Sequence, residues 1–164
     1  MRIRPYTYLD FPKIQKWIKD ERTYAMWCAN LIPYPLEAES FHDFFDELLE
    51  IKGDIPFVAT TDDGEPIGFF SYMLNYQTNS GFFKFVMIDS SKRGHGYGTE
   101  MMKLAVKYAF DITGAEAVDL IVFSSNERAK RCYEKAGFID FELLENEFIY
   151  KDEMWKRCKM RIKR

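Results

Sequence analysis

One stretch constrains this chain more than any other: Val86 to Gly98, V-M-I-D-S-S-K-R-G-H-G-Y-G, which runs directly into T-E-M-M-K-L-A-V-K-Y-A-F. The apolar run ending at Asp89 reads as a buried strand and S-S-K-R-G as a turn. Tyr97 to Phe110 reads as a helix with Met101, Leu104, Ala105, Tyr108 and Ala109 on one stripe. The glycines therefore sit where a strand becomes a helix. Gly94, Gly96 and Gly98 alternate with Arg93, His95 and Tyr97, and a chain lacking Cβ at every second position can curl with its amides turned inward. At a helix N-terminus such a curl is an anion cradle: free N–H donors, the positive end of the helix dipole, and here the charges of Lys92 and Arg93.

Spacing narrows the ligand. The dinucleotide fingerprint needs G-x-G-x-x-G and the P-loop needs G-x-x-x-x-G-K-[ST]; this loop is G-x-G-x-G with its basic residue in front, so neither fits. It resembles instead the pyrophosphate loop of the GNAT superfamily of acetyl-CoA-dependent N-acyltransferases, [QR]-x-x-G-x-[GA], met here by Arg93, Gly96 and Gly98, with Gly94 completing R-G-x-G-x-G. Read without the resemblance, the same residues are also a glycine-rich turn with solvated basic side chains.

At 164 residues the chain suits one domain, 1–164, and an apolar fraction of 47% can fill its core. A net charge of −3 argues against a nucleic-acid partner. No apolar run approaches the roughly 20 residues that cross a bilayer, and M-R-I-R-P-Y-T-Y lacks a signal-peptide core, so no membrane partner and a cytoplasmic location are expected. Cys28, Cys132 and Cys158 are odd in number and far apart, and His42 and His95 are the only histidines, so neither a disulfide framework nor a metal centre is expected.

In chain order, Arg2 to Tyr8 reads as a strand and the next segment as a helix capped by Asp10, with Ile14, Trp17 and Ile18 buried. After Glu21 the text turns aromatic and irregular, and the prolines around Tyr34 exclude a regular helix there; Tyr24, Met26, Trp27 and Tyr34 read as core or as a pocket wall. Leu36 to Ile51 is a helix stopped by Gly53. Pro56–Thr60 and Ile67–Asn75 form a hairpin, and Phe82–Ile88 leads into the glycine loop. Ala117–Phe123 follows the long helix as a strand, which implies a parallel pair. A helix capped by Ser125 or Asn126 ends at Gly137, and Phe138–Leu143 and Met154–Ile162 are two last antiparallel strands joined by an acidic connection.

A second motif extends the resemblance. GNAT chains carry V-x-x-x-N-x-x-A-x-x-x-Y-x-x-x-G-F after the strand that follows the cofactor helix; Val122, Asn126, Ala129, Tyr133, Gly137 and Phe138 stand in that order and spacing. The resemblance implies an α/β (α+β) fold with a mixed, mostly antiparallel sheet of six to seven strands, a central parallel pair and about four helices. Arg4-Pro5, the Trp17 helix and W-K-R-C-K-M resemble most the branch that includes ribosomal-protein N-terminal acetyltransferases. It further implies acetyl-CoA as co-substrate, its pantetheine arm along Val86, Met87 and Ile88, and its pyrophosphate in the curl of Arg93, Gly94, His95, Gly96, Tyr97, Gly98 and Thr99. Asn126 would contact the cofactor arm and Tyr133 would protonate the departing thiolate; capping and packing explain the same two residues.

The implied activity is N-acetylation of a primary amine, of a small molecule or a peptide, by direct attack in a ternary complex. A non-catalytic acyl-CoA-binding domain on the same fold is the alternative. No general base stands out: Lys84 and Asp89 are the only charges near that strand, and Glu37, Glu39 and Asp43 read equally as a solvated helix face. A base is hardly needed if the amine arrives partly neutral. The apolar final strand could pair across a homodimer.

Overall fold

The computed structural model describes residues 1–164 and builds a seven-stranded sheet in the order β1-β2-β3-β4-β5-β7-β6. Its strands are β1 (Arg2–Pro5), β2 (Ile55–Thr60), β3 (Pro66–Asn75), β4 (Ser80–Ile88), β5 (Ala117–Phe123), β6 (Ile139–Tyr150) and β7 (Glu153–Lys163). Five α-helices accompany them: α1 (Phe11–Trp17), α2 (Glu21–Cys28), α3 (Ala38–Lys52), α4 (Tyr97–Lys107) and α5 (Glu127–Lys135). Every neighbouring pair is antiparallel except β4–β5, the parallel pair that the crossover helix α4 requires. The expected mixed sheet is thus observed, with one more helix than expected.

Two cores cover the two faces of the sheet. On one face Met101, Met102 and Ala105 of α4 and Tyr133 and Ala136 near α5 pack on Phe70, Tyr72, Phe83, Leu120 and Val122. On the other, Ile14, Trp17, Tyr24, Phe41 and Phe45 of α1–α3 pack on Val58, Phe69, Phe85 and Met87. Such aromatic density buries a large apolar area, worth about 25 cal/mol per Å² removed from water.

Three boundaries differ from expectation. β1 stops at Pro5, because Asp10 accepts from the Thr7 amide at 2.9 Å and from both Arg4 terminal nitrogens and winds Tyr8–Asp10 into a 3-10 turn. Glu21–Cys28 is helical, started by Asp20 accepting from the Thr23 amide at 2.8 Å and ended by Ala29 in the left-handed region. The acidic segment after Leu143 is strand, so β6 and β7 form one long hairpin turning at Lys151–Asp152.

Candidate active site

β4 carries one residue more than β3 can pair: Phe69 lies opposite Met87, but Ser71 lies opposite Lys84. The surplus falls at Phe85, whose φ of 54° places a bulky side chain in the left-handed region, a β-bulge. Two successive side chains then point to one face. Lys84 Nζ meets the buried Asp54 carboxylate at 2.6 Å, and Phe85 packs edge-on against Phe44 and Phe45. Trp27 of α2 donates its indole N–H to the Phe85 carbonyl at 2.7 Å, supplying the partner that the bulge takes away.

The bulge coincides with an opening in the sheet. Parallel pairing of β4 with β5 ends at Phe83–Leu120, although β4 runs on to Ile88 and β5 to Phe123. The strands part around a cleft of about 610 Å³. The Asp89 amide bonds the Ile67 carbonyl on β3, so ladder alternation turns the main chain of Met87 to β3 and that of Val86 and Ile88 into the cleft.

At one end of the cleft lies the glycine curl. Gly94 and Gly96 have φ of 88° and 85°, a conformation open to glycine at no steric cost, and Gly96 is the N-cap of α4 with no side-chain cap bond. The amides of Tyr97, Gly98 and Thr99 make no internal hydrogen bond; the first helical bond is Glu100 N–H to Gly96 carbonyl. Gly98 serves close approach instead: a Cβ there would stand 3.1 Å from Cys132 Sγ on α5. Arg93 donates Nε to the Ile88 carbonyl at 3.2 Å. Burial first, then the neighbouring Arg128, pulls its guanidinium below the ordinary arginine range. A half-buried guanidinium and an exposed one beside it, neither in an ion pair, are what an anion site looks like when described from the protein side.

Of the residues singled out from the sequence, the structure gathers Val86, Met87, Ile88, Arg93, Gly94, Gly96, Tyr97, Gly98, Thr99, Asn126 and Tyr133 along this cleft. His95 is not among its walls; it is exposed, with Nδ1 3.3 Å from the Lys92 carbonyl. Asn126 caps α5, accepting from the Ala129 amide at 3.2 Å. Tyr133 is 7% exposed and has no hydrogen-bonding partner, and burial followed by Cys132 raises its hydroxyl well above the ordinary tyrosine range, keeping it protonated. Asp89 accepts from the Ser91 amide at 2.9 Å and shapes the turn, while Glu37, Glu39 and Asp43 stand outside the cleft.

Sequence reasoning missed Arg128, Arg131 and Lys135, which line the cleft from α5, and Arg157, which lines it from β7 on the side of Phe123. The α5 residues repeat at three and four positions, and that helical spacing, together with Cys132, was the available signal.

The description "Acetyltransferase (GNAT) family" is matched by residues 11–138. The chain belongs to the GNAT acetyltransferase family. Acetyl-CoA is the acyl donor typical of GNAT enzymes. Among relatives, a prophage-derived uncharacterized N-acetyltransferase of Bacillus subtilis is 26% identical over 106 residues, 65% of this chain and 59% of that protein, so the chain spans about three-fifths of its length. The spermidine N(1)-acetyltransferase of Escherichia coli K12 is 26% identical over 151 residues, 91% of this chain and 78% of its own. A solved spermidine N-acetyltransferase of Vibrio cholerae, in complex with CoA and spermine, superposes with a TM-score of 0.83 at 21% identity, covering 99% of this chain and 94% of that one, a likeness of fold.

Proposed function

We propose that this GNAT chain binds acetyl-CoA across the β4–β5 opening and transfers its acetyl group to a primary amine by direct attack in a ternary complex. The observation that carries the reading is one line of groups: the unbonded amides of Tyr97–Thr99 with Arg93 and Arg128 at one end, and the partnerless Tyr133 hydroxyl farther along the same cleft. These residues fit the donor. A diphosphate would take the capless amides and the Arg93 guanidinium, and a further phosphate the α5 cations Arg128, Arg131 and Lys135. Main-chain groups of Val86 and Ile88 would hold the extended arm and its carbonyl.

The bound donor supplies a thioester carbonyl and a thiol leaving group. The amine nitrogen forms a bond to the carbonyl carbon, the carbon–sulfur bond breaks, and the sulfur takes the proton of Tyr133. Solvent returns that proton, and the amine releases one to water. No carboxylate or histidine lines the cleft, so the amine reacts in its neutral form. The names of the relatives bring polyamines into view as acceptors, and the resemblance to the ribosomal-protein branch brings in α-amines.

The test is calorimetric titration with acetyl-CoA, followed by thiol release with a panel of amines. Binding with amine-dependent release is expected; no binding at millimolar acetyl-CoA would overturn the reading.

A further inference from the structure

We infer that the acceptor of this enzyme is an α-amine carrying an anionic group, of amino-acid or short-peptide type, and not a polycation; the inference rests on the acetyltransferase reading above. The cleft passes through the sheet. Its far mouth lies on the α2 face, walled by Thr23, Met26, Trp27 and Leu31 from α2 and its following turn and by Phe123 and Arg157 from the strands. Alternation along β7 fixes this side: Cys158 and Met160 pack in the α4–α5 core, so Arg157 points the other way, beside Phe123 and Trp155.

The charges at this mouth are of one sign. No aspartate or glutamate lines the cleft anywhere. On the neighbouring elements Glu21 pairs with Lys151 at 3.0 Å and Glu153 with Arg22, while Asp20, which accepts from Thr23, and Glu145 and Glu147 of β6 stand outside the cleft walls. Lys84 is neutralised by Asp54. Arg157 makes no ion pair; its Nε donates to the Asn146 carbonyl at 3.0 Å, which leaves the terminal nitrogens of the fork for a ligand. A polyamine would enter here with a cation beside it and no carboxylate in the cleft wall to pair with its charges, whereas a carboxylate a few bonds from the amine meets a guanidinium.

The missing base points the same way. His42 lies against the Tyr6 hydroxyl at 2.8 Å and stacks on Tyr8, and His95 sits outside the cleft, so nothing in the cleft removes the ammonium proton. At pH 7 a peptide α-amine is about 14% neutral and a lysine-like alkylamine about 0.04%, a difference of about 300-fold in reactive form that favours a peptide terminus; the ammonium of a free amino acid, held by its own carboxylate, stays close to the alkylamine case.

Thiol release at pH 7 from acetyl-CoA with spermidine, free alanine, alanyl-alanine and alanyl-alanine amide tests this. The expected kcat/KM is higher for alanyl-alanine than for spermidine by at least about tenfold, and the carboxylate form of the dipeptide exceeds its amide by about tenfold. Arg157→Gln should collapse that carboxylate–amide ratio toward one, through KM, and Arg157→Lys should restore part of it, with acetyl-CoA affinity unchanged throughout. Preference for free alanine assigns an amino acid and preference for the dipeptide a peptide terminus. Spermidine consumed in preference, or a carboxylate–amide ratio that Arg157→Gln does not alter, overturns this inference alone. Acetyl-CoA bound with none of the amines consumed overturns the acetyltransferase reading and this inference with it.

Discussion

Replacing Arg93 with methionine should separate two quantities that usually move together, the stability of the free protein and its affinity for the donor. In the free protein the guanidinium is half-buried, forms no ion pair, and is held down by burial and by Arg128. Its protonated form is therefore disfavoured by folding, and methionine, which keeps the aliphatic stem, should leave the unliganded protein as stable as before or more so. The Ile88 carbonyl that loses the Arg93 Nε faces the cleft, where water replaces it. With acetyl-CoA bound the change reverses sign: a charge-assisted hydrogen bond to phosphate is worth about 1.5–3 kcal/mol, about 10–150-fold in Kd. At a donor concentration of about 100 Kd, ligand stabilises the native state by about 2.7 kcal/mol, and a 30-fold weaker site at the same concentration by about 0.9 kcal/mol. For a chain of 164 residues, the acetyl-CoA-induced rise in Tm should fall from about 5–11 °C to about 2–4 °C. Thermal denaturation with and without acetyl-CoA reads both. An unliganded Tm several degrees lower, or an undiminished donor shift, would refute the anion-cradle argument.

Tyr133→Phe should lower kcat by about 10²–10⁴-fold with acetyl-CoA affinity within about twofold and no loss of stability, because the hydroxyl has no internal partner; unchanged turnover would remove Tyr133 from the chemistry. Tyr6, Tyr24 and Tyr133 are all raised above 10.0, chiefly by burial. A raised folded value means the stabilisation is complete below about pH 10 and is lost as pH climbs through the folded values, so Tm should decline only above about pH 10; a decline from these groups already at pH 8, or none on strong alkalinisation, would contradict their burial. Trp27→Phe removes the donor to the Phe85 carbonyl and should cost about 1–3 kcal/mol in urea denaturation; a variant as stable as the parent would show that the indole does not prop the bulge.

The half of the cleft proposed for the donor was legible because it rests on local patterns. Gly94, Gly96 and Gly98 stand where an apolar run meets a helical stripe, and Asn126 and Tyr133 keep helical register, so neighbours in sequence are neighbours in space. The half proposed for the acceptor is built from long-range pairing. α2 has no glycine or proline to end it, and its aromatic residues give a weak helical stripe; Asp20 was the one visible start signal. Most of β6 is exposed, so no apolar alternation marks it, and its extension to Tyr150 follows from pairing with β7. The bulge left no trace at all: Phe82 to Ile88 is apolar except for Lys84, and a nearly continuous apolar run hides a one-residue slip between faces.

That slip is what joins the two halves. Without it Phe85 would face Phe70, and with Met87 would lie in the α4–α5 core beside Phe83; with it both join the core under α1–α3. Val86 and Ile88 then pack from the α4 side and open their main chain to the gap left by β5. The strand that would hold the thioester thus owes its position to a strained residue at Phe85, and the bond that satisfies that residue's carbonyl comes from Trp27, a wall of the acceptor mouth. Movement of α2 to fit a different amine must therefore either lengthen the 2.7 Å bond or carry the bulge with it. On the proposed reading acceptor choice and alignment of the reacting carbonyl are mechanically coupled, so substitutions on α2 chosen to broaden the acceptor range should lower kcat even for acceptors they admit.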